Sequence, residues 1–460
     1  MNVIDCSVSD PFAVLRKRGI HRDSETERVV RETIEDVRQR GDDALLENAR
    51  KYDAPELQSI SVSTSEIESA SLPEHQAAAI EKSIRNSVNF HAEQKRFLIN
   101  GFNLRVYRTL EERQSEGQLE HSFESYAYWW RLFGGFKKPP PRPTPDIGQQ
   151  LVPLRRVGAY VPGGAAAYPS SVIMNVIPAQ AASVDAIFVA TPARKDGTLH
   201  QAVLFALRHC GVVKTFKIGG AAAIAAMALG TELVPRVDKI VGPGNRFVNE
   251  AKRQLWGTVG LDGYAGPSEV CILADDEANA RFAAADLLTQ VEHAPDNAGF
   301  LVTLSRAKHE EIMAEVELQL AGAPREETMR KALANESMAF IARDLQQACE
   351  IVDAIAPEHL SIATRNPEKV MEKIHNAGCI LLGEWTAESA GDFCMGPSHT
   401  LPTSGAARFG SPVNVLDFLK VQSVARLTRE DLYELLPTIE AFGEMEGFPT
   451  HARGASIRFE

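Results

Sequence analysis

Cysteine is scarce. Six stand in 460 residues, Cys6, Cys210, Cys271, Cys349, Cys379 and Cys394, and no two have C-x-x-C spacing. That excludes a zinc finger and a thioredoxin-like site, and such sparse thiols fit a reducing compartment, so a cytoplasmic protein is expected. Basic charge is also short: 49 Lys+Arg face 61 Asp+Glu, for a formal net charge of −12. Neither nucleic acid nor an anionic membrane is therefore an expected partner, since both call for a concentrated cationic surface. The opening MNVIDCSVSDPF has no basic and no apolar region, so no signal peptide is expected. One stretch, 157–184, carries no charge, but Pro162, Pro169, Asn175, Pro178 and Gln180 interrupt it. It reads as buried loop, helix and strand, not as a membrane span.

Three fingerprints of phosphate and metal sites are missing as well. There is no GxxxxGK[ST], the turn at Gly242-Pro243-Gly244-Asn245 lacks the last glycine of GxGxxG, and His309-Glu310 has Met313 where HExxH needs histidine. What remains is ordinary globular composition, 44% hydrophobic and 24% charged, with length enough for several domains.

The N-terminal part reads as helical. Ser24 and Glu27 have capping-box spacing ahead of Val29, Val30, Ile34 and Val37, and Gly41-Asp42-Asp43 breaks that helix and can cap a second. A further helix is expected over about 74–97, with Ile80, Ile84 and Val88 on one face. Residues 103–147 differ in composition: they hold Trp129, Trp130, Tyr107, Tyr126 and Tyr128 and run into the KKPPPRPTP of 137–145. A poorly packed surface insertion is expected there. From Arg156 onward strands and helices alternate, with strands expected at 186–191, 213–218, 239–241, 269–273, 299–304, 338–341, 359–362 and 379–382. Alternation of this kind means βαβ units and mostly parallel sheets, here two of them.

Several residues within these units carry chemistry. Val161-Pro162-Gly163-Gly164, Gly219-Gly220 and Gly242-Pro243-Gly244-Asn245 are glycine turns at strand ends, read either as tight turns or as an anion cleft at helix N-termini. Gln290 and His293 sit three apart at the end of an expected helix and share a face. Glu358 and His359 are neighbours at the start of a strand, an acid and an imidazole that cannot both point one way and so serve different protons. Asp392 lies in an expected glycine turn with a free carboxylate, apt for a hard ligand. His399 reads as a loop anchor, and Glu446 and His451 lie in a C-terminal tail of the kind that docks elsewhere, a partner subunit included. Gln290, His293, Asp392 and His451 together offer two imidazoles, a carboxylate and an amide oxygen, a donor set suited to zinc.

The runs VGAYVPGG, YPSSVIMNVIPA, VDKIVGPGNRFVNEAKRQ, AGPSEV, LLTQVEHAPD, APEHL, ESAGDF, SHTLPTSG and THARG, with NFHAEQKRF further upstream, resemble the histidinol dehydrogenase family. The resemblance spans nearly all of the chain outside 103–147. It implies an α/β fold of two incomplete Rossmann-like units, related to the aldehyde dehydrogenase type, with N-terminal helices and a C-terminal tail exchanged in a homodimer. The implied organisation is 1–102 as the helical part of the first unit, 148–267 as the cofactor-binding unit, 268–405 as the rest of the first unit, and 406–460 as the tail. The implied activity is zinc-dependent, NAD-dependent oxidation of L-histidinol to L-histidine through a bound aldehyde. Its implied zinc (Zn2+) ligands are Gln290, His293, Asp392 and His451, and its acid–base pair is Glu358 and His359. Substrate contacts match Ser268, Gln290, His293, His359, Asp392, Glu446 and His451, and NAD contacts match Tyr160 and Asn245. One departure stands out: Ala222 occupies the place of a family glutamine that touches the cofactor, so a hydrogen bond worth about 0.5–1.5 kcal/mol is lost. Two other readings stay open, a related dehydrogenase with another alcohol substrate and a non-catalytic zinc-binding relative. Cys394 has no support as a thiol nucleophile.

Overall fold

The structure, a computed structural model, describes residues 1–16, 23–102, 146–163, 167–212, 214–263 and 266–460. The expected insertion at 103–147 falls, but for its last two residues, outside them. The chain forms two compact units, one from Met1–Lys95 and Pro153–Phe418, the other from Arg96–Val152 and Leu419–Glu460.

In chain order the strands are β1 (Asn2–Asp5), β2 (Asp146–Pro153), β3 (Arg156–Tyr160), β4 (Ala186–Thr191), β5 (Lys214–Lys217), β6 (Lys239–Val241) and β7 (Gly260–Leu261). They continue with β8 (Glu269–Ala274), β9 (Ala298–Thr303), β10 (Met338–Ile341), β11 (His359–Ala363), β12 (Cys379–Leu382) and β13 (Leu419–Arg426). Every strand expected from the sequence is present, with its ends moved by about a residue. Five strands, β1, β2, β3, β7 and β13, come in addition.

The first unit holds two sheets. One runs β5-β4-β3-β6-β7 and the other β1-β10-β9-β8-β11-β12, with parallel pairing throughout. Parallel sheets need helices on both faces, and the sequence shows that burial directly: every residue of β8 and β9 is buried. The helix Gly220–Leu229, GAAAIAAMAL, is apolar all round and has eight buried residues. It forms the centre of the first sheet's core, against Val30, Ile34 and Val37 of the helix Ser24–Arg40. That helix ends at Gly41, whose φ of +55° suits glycine. Its start differs from expectation. Asp23, not Ser24, is the N-cap, and its carboxylate accepts from the Glu25 N–H at 3.1 Å.

The helix Glu74–Phe102 also departs from its expected face. Val88 is 44% exposed, while Ile80, Ser83, Ser87 and His91 are buried. The reason is polar packing: Ser83 Oγ donates to the Phe393 carbonyl at 2.6 Å and Asn86 Nδ2 to the Cys394 carbonyl at 2.7 Å. This helix therefore pins the segment just after Asp392. Among the described residues no helix is long and apolar enough to cross a membrane.

In the second unit β2 pairs with β13, and the helices Arg429–Met445 and Pro449–Ser456 pack on each other. These helices bury only Gly443 and Ala455, while Tyr433, Phe442, Met445 and Phe448 are exposed.

One buried ion pair shapes the turn after β6. Lys252 Nζ, 1% exposed, donates to the Gly242 carbonyl at 2.6 Å and to Asp262 Oδ1 at 2.7 Å, and Asp262 Oδ2 accepts the Gly242 N–H at 2.7 Å. Removing one partner leaves the other charge buried and uncompensated. Lys252→Met should therefore lower unfolding free energy by about 3–5 kcal/mol, read from the urea midpoint at constant m-value.

Candidate active site

Chemistry gathers at the amino edge of the second sheet. β11 opens with His359, in register with Val270 of β8 and Cys379 of β12. Strand alternation puts His359 and Ser361 on one face. On the helix Ala280–Val291 the four-residue spacing of Asp286 and Gln290 presents both to that face. Ser361 Oγ donates to Asp286 Oδ2 at 3.4 Å, and Asp286 Oδ1 accepts the Glu388 N–H at 3.2 Å. Glu388 and Asp392 follow β12 in the helix Glu388–Phe393, which replaces the glycine turn expected around Asp392. One turn of helix sets their two carboxylates side by side.

The resulting cluster is tight. His359 Nε2 lies 3.4 Å from Asp392 Oδ1 and 3.7 Å from Glu388 Oε1. Gln290 Nε2 donates to Glu388 Oε1 and, at 3.2 Å, to Asp392 Oδ2. One possible ligand atom each from His359, Glu388 and Asp392 lie within 4.8 Å of one another. Glu358, next to His359, reaches a different partner: its Oε2 accepts the Glu269 N–H at 2.8 Å. Ser268, half-buried, immediately precedes Glu269. The helix ends at Val291, so His293 lies beyond it and not in its last turn as expected. The His293 N–H donates to the Gln290 carbonyl at 3.2 Å, and its imidazole still acts electrostatically on Asp392.

Burial and charge divide the protons among these groups. Burial pushes the Glu358 carboxyl up to about 8, against the opposing pull of His359 and the Glu269 N–H. Burial alone would lower His359. The hydrogen bond to Asp392 and the charges of Glu358, Asp392 and Glu388 outweigh it and raise the imidazole to about 9. Burial and the charge of Asp392 raise Glu388. Asp392 goes the other way: burial opposes its charge, but His359, His399 and His293 hold its carboxyl below the usual range. Two adjacent carboxylates with separated proton affinities are a common arrangement for acid–base work or cation binding.

A second constellation sits on the first sheet. Its strand order reverses between β3 and β6, and in such sheets ligands bind at the carboxyl ends beside the reversal. Tyr160 ends β3 and Asn245 follows β6. The Gly220 N–H donates to Tyr160 Oη at 3.1 Å, so the phenol proton is left for another acceptor. Asn245 Oδ1 caps the helix Arg246–Leu255 by accepting from Phe247 and Val248 at 3.0 and 3.2 Å, which turns its Nδ2 away. A Cβ on Gly242 (φ +115°) would run into the Tyr160 carbonyl, so only glycine brings the two turns this close. Tyr160 and Asn245 thus bring a hydroxyl and an amide donor to this edge. Ala222 is 1% exposed within the core. Glu446 and His451 belong to the second unit, at the end of one helix and inside the next, both exposed.

The family model for histidinol dehydrogenase matches residues 16–109 and 141–459. The chain belongs to the histidinol dehydrogenase family. Histidinol dehydrogenases of Halalkalibacterium halodurans and Geobacter metallireducens are each 39% identical to it. The first alignment covers 99% of this chain and 98% of the relative, the second 100% and 98%. The crystal structure of histidinol dehydrogenase from Elizabethkingia anophelis superposes with a TM-score of 0.86 at 31% identity, over 100% of this chain and 98% of that one. Membership makes the chain an oxidoreductase of histidine biosynthesis. The family model leaves 110–140 unmatched, inside the segment set apart by composition.

Two members of the cluster have no role in the sequence reading. Glu388 is four residues before Asp392, a spacing that pairs side chains only if the segment is helical. His399, expected as a loop anchor, is half-buried; desolvation lowers its affinity for a proton, and it interacts with Asp392, His359 and His293.

Asp53 is a third unexpected group, its carboxylate set over Gly219 and near Tyr160. Burial pushes it up to about 6 from an ordinary 3.8. A carboxyl raised by folding costs stability where it is ionised, so the cost is absent below the unfolded value and complete above the folded one. Asp53→Asn should therefore raise the urea midpoint relative to wild type at pH 8, with the gain shrinking toward pH 4.5.

Proposed function

We propose that the chain oxidises L-histidinol to L-histidine through a bound aldehyde, using zinc and NAD, as the last steps of histidine biosynthesis. The observation that carries this reading is the buried convergence of Gln290, Asp392, His359 and Glu358 in a chain of this family. On this reading Gln290, His293 and Asp392 hold the zinc ion together with His451 from the tail of a second copy. The donors in the first unit fit the ion: amide oxygen, carboxylate and imidazole suit a borderline divalent cation. When bound, zinc anchors the imidazole and amine nitrogens of the amino alcohol, and NAD accepts the two hydrides. Tyr160 and Asn245 hold the dinucleotide, and Ser268 and Glu446 orient the substrate.

The proton traffic belongs to the chain. His359 takes the hydroxyl proton during the first oxidation. A cation held by Asp392 would weaken that carboxylate's hold on the His359 proton and leave the imidazole better able to act as a base. Glu358 activates the water that converts aldehyde to hydrate. Its carboxyl, near 8, exchanges protons close to neutrality, where a general acid–base group is most effective. The reactive aldehyde stays bound between the two steps.

Exchange of the tail in a homodimer is part of the same proposal. What supports it is the tail's own composition: two helices that bury almost nothing of their own leave Tyr433, Phe442, Met445 and Phe448 for another surface. The six cysteines, none of them in a disulfide, support a reducing, cytoplasmic setting.

Three outcomes test this reading. Purified protein supplied with histidinol and NAD should form two reduced cofactors per histidine. His359→Asn should cut that turnover by a factor on the order of 10²–10⁴ while zinc content, measured by atomic emission, stays at the wild-type level. Stripping the metal with a chelator should abolish histidinol binding in calorimetry, and readded zinc should restore it. Full turnover by zinc-free protein would overturn the metal's anchoring role.

A further inference from the structure

A glutamine side chain can turn either its oxygen or its nitrogen toward a neighbour, and only the oxygen can ligate a divalent cation. At an exposed site the choice is free. Gln290 is 1% exposed, so its buried neighbours make it. Its Nε2 donates to Glu388 Oε1 and to Asp392 Oδ2. Glu388 is completely buried beside Asp392. With Nε2 donating to both carboxyl groups, the amide oxygen faces away from them.

Both partners are held from behind. Asp286 Oδ1 accepts the Glu388 N–H at 3.2 Å, and Asn297 Nδ2 donates to the Gln290 carbonyl at 2.7 Å. Asp286 and Asn297 thus fix the main chain from which these two side chains project. Glu388 also stands 3.7 Å from His359 Nε2, outside good hydrogen-bond distance, so its close side-chain partners are Gln290 and the neighbouring Thr289.

We infer that Glu388 is a positioning residue. Without touching substrate or cofactor, its carboxylate fixes the Gln290 amide with Nε2 turned inward and Oε1 presented to the metal ion. The inference rests on the metal site proposed above. It assigns Glu388 to the layer of partners that orient ligands, a layer whose loss usually costs metal affinity 10–100-fold.

The test is a set of zinc dissociation constants for the full chain, measured by competition with a chromogenic chelator. Glu388→Gln keeps size and hydrogen bonding but lets the Gln290 amide face either way. It should weaken zinc about tenfold or more. A carboxylate at position 290 has no amide to orient, so in a Gln290→Glu background the same change at 388 should move zinc affinity by no more than about twofold. A general structural role for Glu388 would give equal losses in both backgrounds, and that result overturns the inference. So does a Glu388→Gln protein that binds zinc like the wild type. Asp392→Asn is measured alongside. If it weakens zinc while Glu388→Gln does not, the positioning role alone fails; if zinc affinity survives Asp392→Asn, the metal site itself is wrong and this inference falls with it.

Discussion

Surplus negative charge in a dry place is the constraint around which the site is built. Glu358, Glu388 and Asp392 are all largely buried, and one imidazole, His359, stands among them. Even with that imidazole charged, three ionised carboxylates would leave the edge of the sheet strongly negative, at a cost that folding must absorb. Protons relieve it in part: Glu358 and Glu388 bind theirs more tightly, while Asp392 keeps its charge beside His359. A cation relieves it more completely. The arrangement that weakens the fold is therefore the one that would give the proposed metal ion its affinity, since binding to the native state alone adds directly to stability.

Parallel strands make such a construction possible. They place all their amino ends at one edge and all their carboxyl ends at the other. The second sheet uses its amino edge, where Ser268, Glu358 and His359 enter β8 and β11. The first uses its carboxyl edge, where Tyr160 leaves β3 and Asn245 follows β6. The cluster residues sit on or beside strand and helix ends, so the packing of the core sets their positions. The Lys252–Asp262 pair extends that rigidity to a glycine turn that would otherwise be soft.

Much of this is legible in the residues. The alternation of apolar runs and glycine turns locates the strands, because strands buried on both faces must be nearly continuous in hydrophobicity. The site's motifs point to Gln290, Glu358, His359 and Asp392, because acids and imidazoles are rare near such strands without a reason. Other features are hidden for identifiable causes. Ser83 faces inward because its partner is a backbone carbonyl far along the chain, and no hydrophobic period announces that. The glycine in ESAGDF suggests a turn, yet Gly391 is tolerated in a short helix, and only the helix places Glu388 beside Asp392. Asp23 takes the cap from Ser24 because both are good caps and local sequence does not separate them.

The first strand has a consequence for how the molecule is made. β1 forms an edge of the second sheet by pairing Asn2 with Met338 and Asp5 with Ile341. These residues leave the ribosome long before their partner, which lies far further along the chain. Until β10 arrives, Val3 and Ile4 have no sheet to join, and the closure that seats them spans most of the chain. Pairing at such separation is slow, because the entropy of the loop is lost before the contact repays it. The second sheet is therefore completed after synthesis is well advanced, while the first, built wholly from β3 to β7, can form beforehand. The nascent chain consequently carries a finished half and an unfinished one, and the unfinished half is where chaperones have most to protect.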